Sequence, residues 1–80
     1  MRIDKYLKIS RLIKRRTVAT DACNSGRITV NGKVAKASTD VKEGDIIEIG
    51  FGEKKTKVRI LKIVDFIKAD EANTMFESVD

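Results

Sequence analysis

The chain has 80 residues, 17 Lys or Arg against 12 Asp or Glu, one cysteine and no histidine. That length supports one small domain with a modest core. The Cys and His counts exclude an internal disulfide, a zinc site of the usual Cys/His kind, and a Cys/His or Ser/His/Asp catalytic pair.

Ile3, Tyr6 and Leu7 fall at helical spacing, so a first short helix is expected over about 3–10. Lys5 and Lys8 lie on its other side, where Asp4 reaches Lys8 one turn on. Arg11 to Arg16 forms a basic connector, with Leu12 and Ile13 turned inward. Thr17 is an expected N-cap, because its hydroxyl is suited to accept from an unpaired backbone N–H. A second helix is expected over about 18–25, with an apolar face of Val18, Ala19, Ala22 and Cys23. Cys23 on that face reads as a small core residue. Gly26 supplies the left-handed position that ends the helix.

From Arg27 the apolar period changes to two. Ile28 and Val30 alternate with Thr29, and Asn31-Gly32 is a strong hairpin signal because both positions accept positive φ. Lys33 to Ala35 returns as a short strand, 37–42 is an irregular connection, and Glu43-Gly44-Asp45 is a turn. Ile47, Ile49 and Phe51 alternate, as do Thr56, Val58 and Ile60, with a second hairpin around Gly52-Glu53-Lys54. Beyond Ile60 the alternation slips through Leu61, Ile63 and Val64, which suggests a bulge. Ala72, Met75, Phe76 and Val79 suggest a final short amphipathic helix, frayed at its end. The expected fold is therefore α+β, with two N-terminal helices on a small antiparallel or mixed sheet and a short C-terminal helix.

The charge is unevenly placed. Up to Lys36 there are ten Lys or Arg against Asp4 and Asp21; the remainder carries seven basic and ten acidic residues. A concentrated basic half is the electrostatic footprint of a phosphate-rich partner, although a solubilising surface has the same composition. Lys14, Arg15 and Arg16 precede the expected cap of the second helix, where positive charge opposes the helix macrodipole. An anion at that place would draw the N–H groups and the arginines together. Arg2, Lys5 and Lys8 continue this surface along the first helix, although either lysine alone suits a solvated helix face. Arg11 suits a phosphate contact or a stem packed over the core. Lys33 and Lys36 follow the Asn31-Gly32 turn. Tyr6 is the sole aromatic in the basic half, so structured RNA read through backbone and shape fits better than single-strand stacking. No carboxylate has an evident catalytic context, and an enzyme is not expected. No apolar run is long enough to span a bilayer. The start Met1-Arg2-Ile3-Asp4 lacks the apolar core of a signal peptide, so a cytoplasmic location is expected.

Arg2-Ile3-Asp4-Lys5-Tyr6-Leu7-Lys8, Ser10-Arg11-Leu12, Lys14-Arg15-Arg16-Thr17, Gly26-Arg27-Ile28-Thr29-Val30-Asn31-Gly32 and Val41-Lys42-Glu43-Gly44-Asp45 together resemble the RNA-binding domain first named from small-subunit ribosomal protein S-four. The resemblance covers about residues 1–50, with a sheet completion to about Val64. It implies an RNA-binding domain over 1–65 followed by a short helical tail over 66–80. Within this domain family the chain is similar to small stand-alone members, the RqcP-type factors of bacterial ribosome-associated quality control and the fifteen-kilodalton heat-shock proteins. Its length and the Leu12-Ile13-Lys14-Arg15-Arg16-Thr17 stretch resemble the RqcP type more. The basic C-terminal extension of the heat-shock type is absent: Asp70, Glu71, Glu77 and Asp80 follow Lys68, with no basic residue among them.

The resemblance implies binding to large-subunit rRNA and peptidyl-tRNA on stalled, split ribosomes. It implies action beside a NEMF-family protein in C-terminal alanine tailing, with a heat-shock-type recycling role as the alternative. It carries Arg2, Asp4, Lys5, Arg11, Lys14, Arg15, Arg16, Thr17, Asn31 and Lys33 to the RNA site, and Lys8 and Lys36 extend the same surface. Asp4 would orient neighbouring basic groups without touching phosphate. No cofactor, no metal and no membrane is expected, and the protein is expected to be a monomer.

Overall fold

The computed structural model describes residues 1–79; Asp80, counted above with the acidic tail, lies outside the described residues. Helix α1 spans Ile3–Ile9 and α2 spans Arg16–Asn24. The strands are β1 (Ile28–Val30), β2 (Lys33–Val34), β3 (Ile46–Phe51), β4 (Lys54–Ile60) and β5 (Phe76–Ser78), with a 3₁₀ helix over Ala69–Met75 before the last. They form a five-stranded sheet in the order β2-β1-β3-β4-β5, and each neighbouring pair is antiparallel. This is the expected α+β architecture.

The core lies between the helices and one face of the sheet. Ile3, Tyr6 and Leu7 of α1 and Ala19, Ala22 and Cys23 of α2 are buried against Ile28, Ile47, Ile49, Val58 and Ile60. The period-two pattern places these strand residues on one face, while Thr29, Glu48 and Lys57, paired across neighbouring strands, stand on the other. Cys23 is a core residue, as expected; burial and the charge of Asp4 push its thiol up to about 11, away from reactivity.

Both hairpins form. Asn31 and Gly32 adopt φ of 52° and 86°, the positive values the turn demands, and Val30 faces Lys33 across it. Asn31 does more than turn the chain. Its amide nitrogen donates to Asp45 Oδ1 at 3.1 Å and its oxygen accepts from the Ile46 N–H at 2.9 Å, which ties the hairpin to the start of β3. The second hairpin pairs Phe51 with Lys54 around Gly52 at φ 60°.

Three local expectations meet the structure differently, the first and third being corrected. First, α2 begins at Arg16, not after Thr17. Arg15 occupies the cap position in extended conformation, and no side-chain capping bond forms. Its first turn is instead anchored by Arg16 to another element. Val18, expected on the buried face, is 41% exposed, while Ala19, Ala22 and Cys23 of the same helix are buried. Second, the slip after Ile60 has the two-against-one pairing of the expected bulge, at the end of β4. The N–H groups of Leu61 and Lys62 both donate to the Met75 carbonyl, at 2.7 and 3.3 Å. Third, Phe76 does not continue a helix. Phe76–Ser78 pairs with Val58–Ile60 as β5, and the Val79 N–H donates to the Lys57 carbonyl. An uncovered β4 would leave a row of unpaired backbone groups at the sheet edge, and this short strand covers them.

The C-terminal segment also closes the core. Met75 and Ala72 are buried, and the Tyr6 hydroxyl donates to the Met75 carbonyl at 2.8 Å. Burial raises the Tyr6 phenol far above its usual range, so it stays protonated and a donor.

Candidate RNA-binding surface

The N-terminus of α1 is built from chain segments far apart in sequence. The Ile3 and Asp4 N–H groups, orphans of the first helical turn, donate to the Thr39 and Ala37 carbonyls. This docks the 37–40 loop on the helix start. Asp4, in the first turn where an acidic side chain suits the macrodipole, is 1% exposed.

A buried carboxylate must be paired to be tolerated. Asp4 accepts from the Lys5 N–H at 2.8 Å, from Arg2 through Nε at 3.2 Å and Nη2 at 3.1 Å, from Arg16 Nη2 at 3.4 Å, and from the Thr20 hydroxyl at 3.2 Å. Burial alone would raise the Asp4 pKa. The Arg2 and Lys5 hydrogen bonds and the charges of Arg16 and Arg2 outweigh it and hold the carboxyl below the usual carboxylate range. Both guanidiniums remain about half exposed, at 51% for Arg2 and 47% for Arg16. One buried anion thus orients two cations from separate elements while leaving their outer edges open to a ligand. An open depression of about 430 Å³ lies over this cluster, lined by Arg2, Asp4, Arg16, Thr17, Thr20 and Asp21.

The other expected site residues divide by environment. Lys14 and Arg15 are exposed beside the start of α2 and form no ion pair among the described residues. Lys5 pairs with Asp65 at 3.4 Å, and Lys8 is half-buried in the last turn of α1. Arg11 is held at φ 66° just past that helix, and its Nη1 donates to the Ile9 and Lys8 carbonyls at 2.9 and 3.4 Å. Its guanidinium therefore caps α1 through Nη1, on a residue that stays exposed. Lys33 and Lys36 are exposed on and after β2. The amide of Asn31 is bonded to Asp45 and Ile46, as described above, on a residue that stays exposed. Thr20 was not legible as part of the site. Its hydroxyl is shared between the Asp4 carboxylate and the Arg16 carbonyl one turn back, a link that only the packing of α1 on α2 creates.

Among the described residues, no group of three or more His, Cys, Asp or Glu could hold a metal ion. No helix among them is long and apolar enough to cross a membrane. The arrangement is suited to binding a polyanion: fixed guanidiniums for phosphate, flanked by free cations.

Comparison with known proteins agrees with this chemistry. The S4 domain model matches residues 1–47. A relative from Halalkalibacterium halodurans called "RQC P-site tRNA stabilizing factor" is 56% identical over 96% of this chain and 88% of its own length. A protein of the same name from Streptococcus pneumoniae is 52% identical over 99% of this chain and 90% of its own. Among solved structures, the trimeric heat shock protein 15 of Vibrio cholerae superposes with a TM-score of 0.90 at 31% identity, covering 99% of this chain and 81% of that one.

Proposed function

Because the chain belongs to the S4 domain family, we propose that it is a non-enzymatic RNA-binding factor of ribosome-associated quality control. In this reading it holds tRNA on stalled, split large subunits and contacts rRNA through the same basic surface. The Asp4 cluster is the observation that carries it: one buried carboxylate holds Arg2 and Arg16 together with their outer edges exposed, which preorganises two phosphate ligands. The names of the two relatives point to tRNA in the ribosomal P site as the RNA.

Arg2, Arg16, Lys14, Arg15 and Thr17 form the centre of the proposed interface, with Lys5, Lys8, Lys33 and Lys36 extending it. Asp4 supports it from within, and the exposed Arg11 and Asn31 extend it further. Residues 1–65 carry the ionic RNA contacts in this proposal, and the 3₁₀ helix and β5 complete the fold behind them. The factor acts in the cytoplasm as a monomer beside a NEMF-family partner and supports C-terminal alanine tailing.

The likeness to heat shock protein 15 favours a second reading, a recycling factor that frees blocked large subunits without alanine tailing. Two measurements separate the readings. The tagged protein is expected to prefer large subunits carrying peptidyl-tRNA over empty large subunits, small subunits and intact ribosomes at fixed salt; equal binding to every particle would withdraw the specific role. Cells lacking the protein are expected to lose alanine tails on stalled chains, whereas unchanged tails would select recycling.

A further inference from the structure

Phe66 is 81% exposed, more than Val34, Leu61, Phe51 or Val18. Single exposed apolar residues are common on protein surfaces, so exposure alone carries nothing. What distinguishes this ring is the way its backbone is held. On one side Asp65 is paired with Lys5 of α1 at 3.4 Å; on the other Ile67 is buried at 7% exposure. Ile63 and Val64 pack against the core just upstream. The segment is therefore tied down at both flanks while the ring itself points into solvent. The Asp65–Lys5 pair sets it beside α1, the helix that carries the basic surface.

We propose that Phe66 is a stacking residue of the RNA interface, taking the face of one unpaired nucleobase at the edge of the α1 surface. This rests on the RNA-binding reading above and adds to it a contact that is not ionic. A base offers a flat apolar face to an exposed ring, and nearby cations hold the phosphates on either side. Phe66 stands between exposed Asp65 and Lys68, with Lys5 in reach of the same loop. A protein-docking surface is more often a contiguous apolar patch, whereas this is a lone ring among charges.

The test is affinity for large subunits carrying peptidyl-tRNA, compared for the wild type and Phe66→Ala, Phe66→Leu, Phe66→Tyr and Phe66→Trp. Tyr and Trp are expected to bind at least as well as Phe. Ala and Leu are expected to lose roughly tenfold, with the salt dependence unchanged, since no phosphate contact is removed. Because the ring is exposed, all four variants are expected to melt with the wild type. Leu binding as tightly as Phe would indicate apolar packing on a protein and overturn the proposal. Equal affinity of all five proteins would overturn it too while leaving the RNA-binding reading intact. A wild type that fails to bind these subunits would instead refute the quality-control reading, and the stacking contact with it. A photocrosslinking benzoyl-phenylalanine placed at 66 gives an independent readout: crosslinks to RNA support stacking, and crosslinks only to protein refute it.

Discussion

The Asp4 carboxylate of α1 lies 3.4 Å from the Arg16 guanidinium of α2, twelve residues on, and that contact joins the first turns of the two helices. The pair is asymmetric: the carboxylate is 2% exposed and the guanidinium 47%. The anion is thus committed to the fold, and the cation is shared between the fold and the solvent.

Replacing Asp4 tests its structural half. Asp4→Ala is expected to cost about 2 kcal/mol, the scale for losing hydrogen bonds to a charged group when the half-exposed guanidiniums stay solvated, and Asp4→Asn less because an acceptor remains. The folded pKa of Asp4 is lowered, so its contribution is fully present above the unfolded value of about 3.9 and is lost as pH falls through the folded value. Urea titrations should show a gap between wild type and Asp4→Asn that is constant from about pH 7 to 5 and narrows below about pH 4. A gap that widens on acidification would contradict the assigned direction.

Replacing Arg16 tests the exposed half. Asp4 keeps Arg2, the Lys5 N–H and Thr20 in Arg16→Ala, so the variant should fold. RNA affinity should fall further than in Lys57→Ala, whose lysine stands on the opposite face of the sheet. For the wild type, log affinity against log salt should have a slope on the order of −4, as expected if about five or six phosphates are neutralised. A nearly flat salt response would remove the basic-surface argument.

Tyr6→Phe deletes the hydrogen bond to the Met75 carbonyl without a large change in volume. That carbonyl still accepts from the Leu61 and Lys62 N–H groups, so no acceptor is stranded. A loss of about 1 kcal/mol is expected, seen as a drop in Tm of roughly 4–8 °C for a domain of this size.

Asn31→Ala removes both bonds that join the first hairpin to β3 and places alanine at φ 52°. About 2 kcal/mol should be lost, measurable by urea denaturation. Asn31→Gly should lose less, since glycine accepts the backbone angle. If Asn31 contacts RNA only through the fold it supports, both variants should bind normally under conditions where they are folded.

The legible parts of this fold were those decided within a few residues. Gly26 ends α2 at φ 79°, Asn31-Gly32 turns the hairpin, and the alternation of Ile47 with Ile49 gives the buried face of β3. Arg2, Asp4 and Arg16 were visible as members of one site because the family motif holds them at fixed spacing. What escaped was decided by distant partners. Thr17 has good capping chemistry, yet the helix starts one residue before it, at Arg16, which pairs with Asp4 of α1. Phe76 fits a helical period, yet the free edge of β4 takes it as a strand. Thr20 and Phe66 have no local signature; their roles come from α1 packing against α2 and from the Lys5–Asp65 pair.

The bond from Tyr6 to Met75 spans 69 residues, which has a consequence for biosynthesis. As the chain is made, α1 and α2 leave the ribosome well before the 3₁₀ helix and β5 that form part of the floor under α1. Their basic face is thus present early, but its support arrives last. A newborn copy should become a firm RNA binder only once β5 has emerged and joined the sheet. Such timing would limit premature capture of the factor by the RNA of its own ribosome.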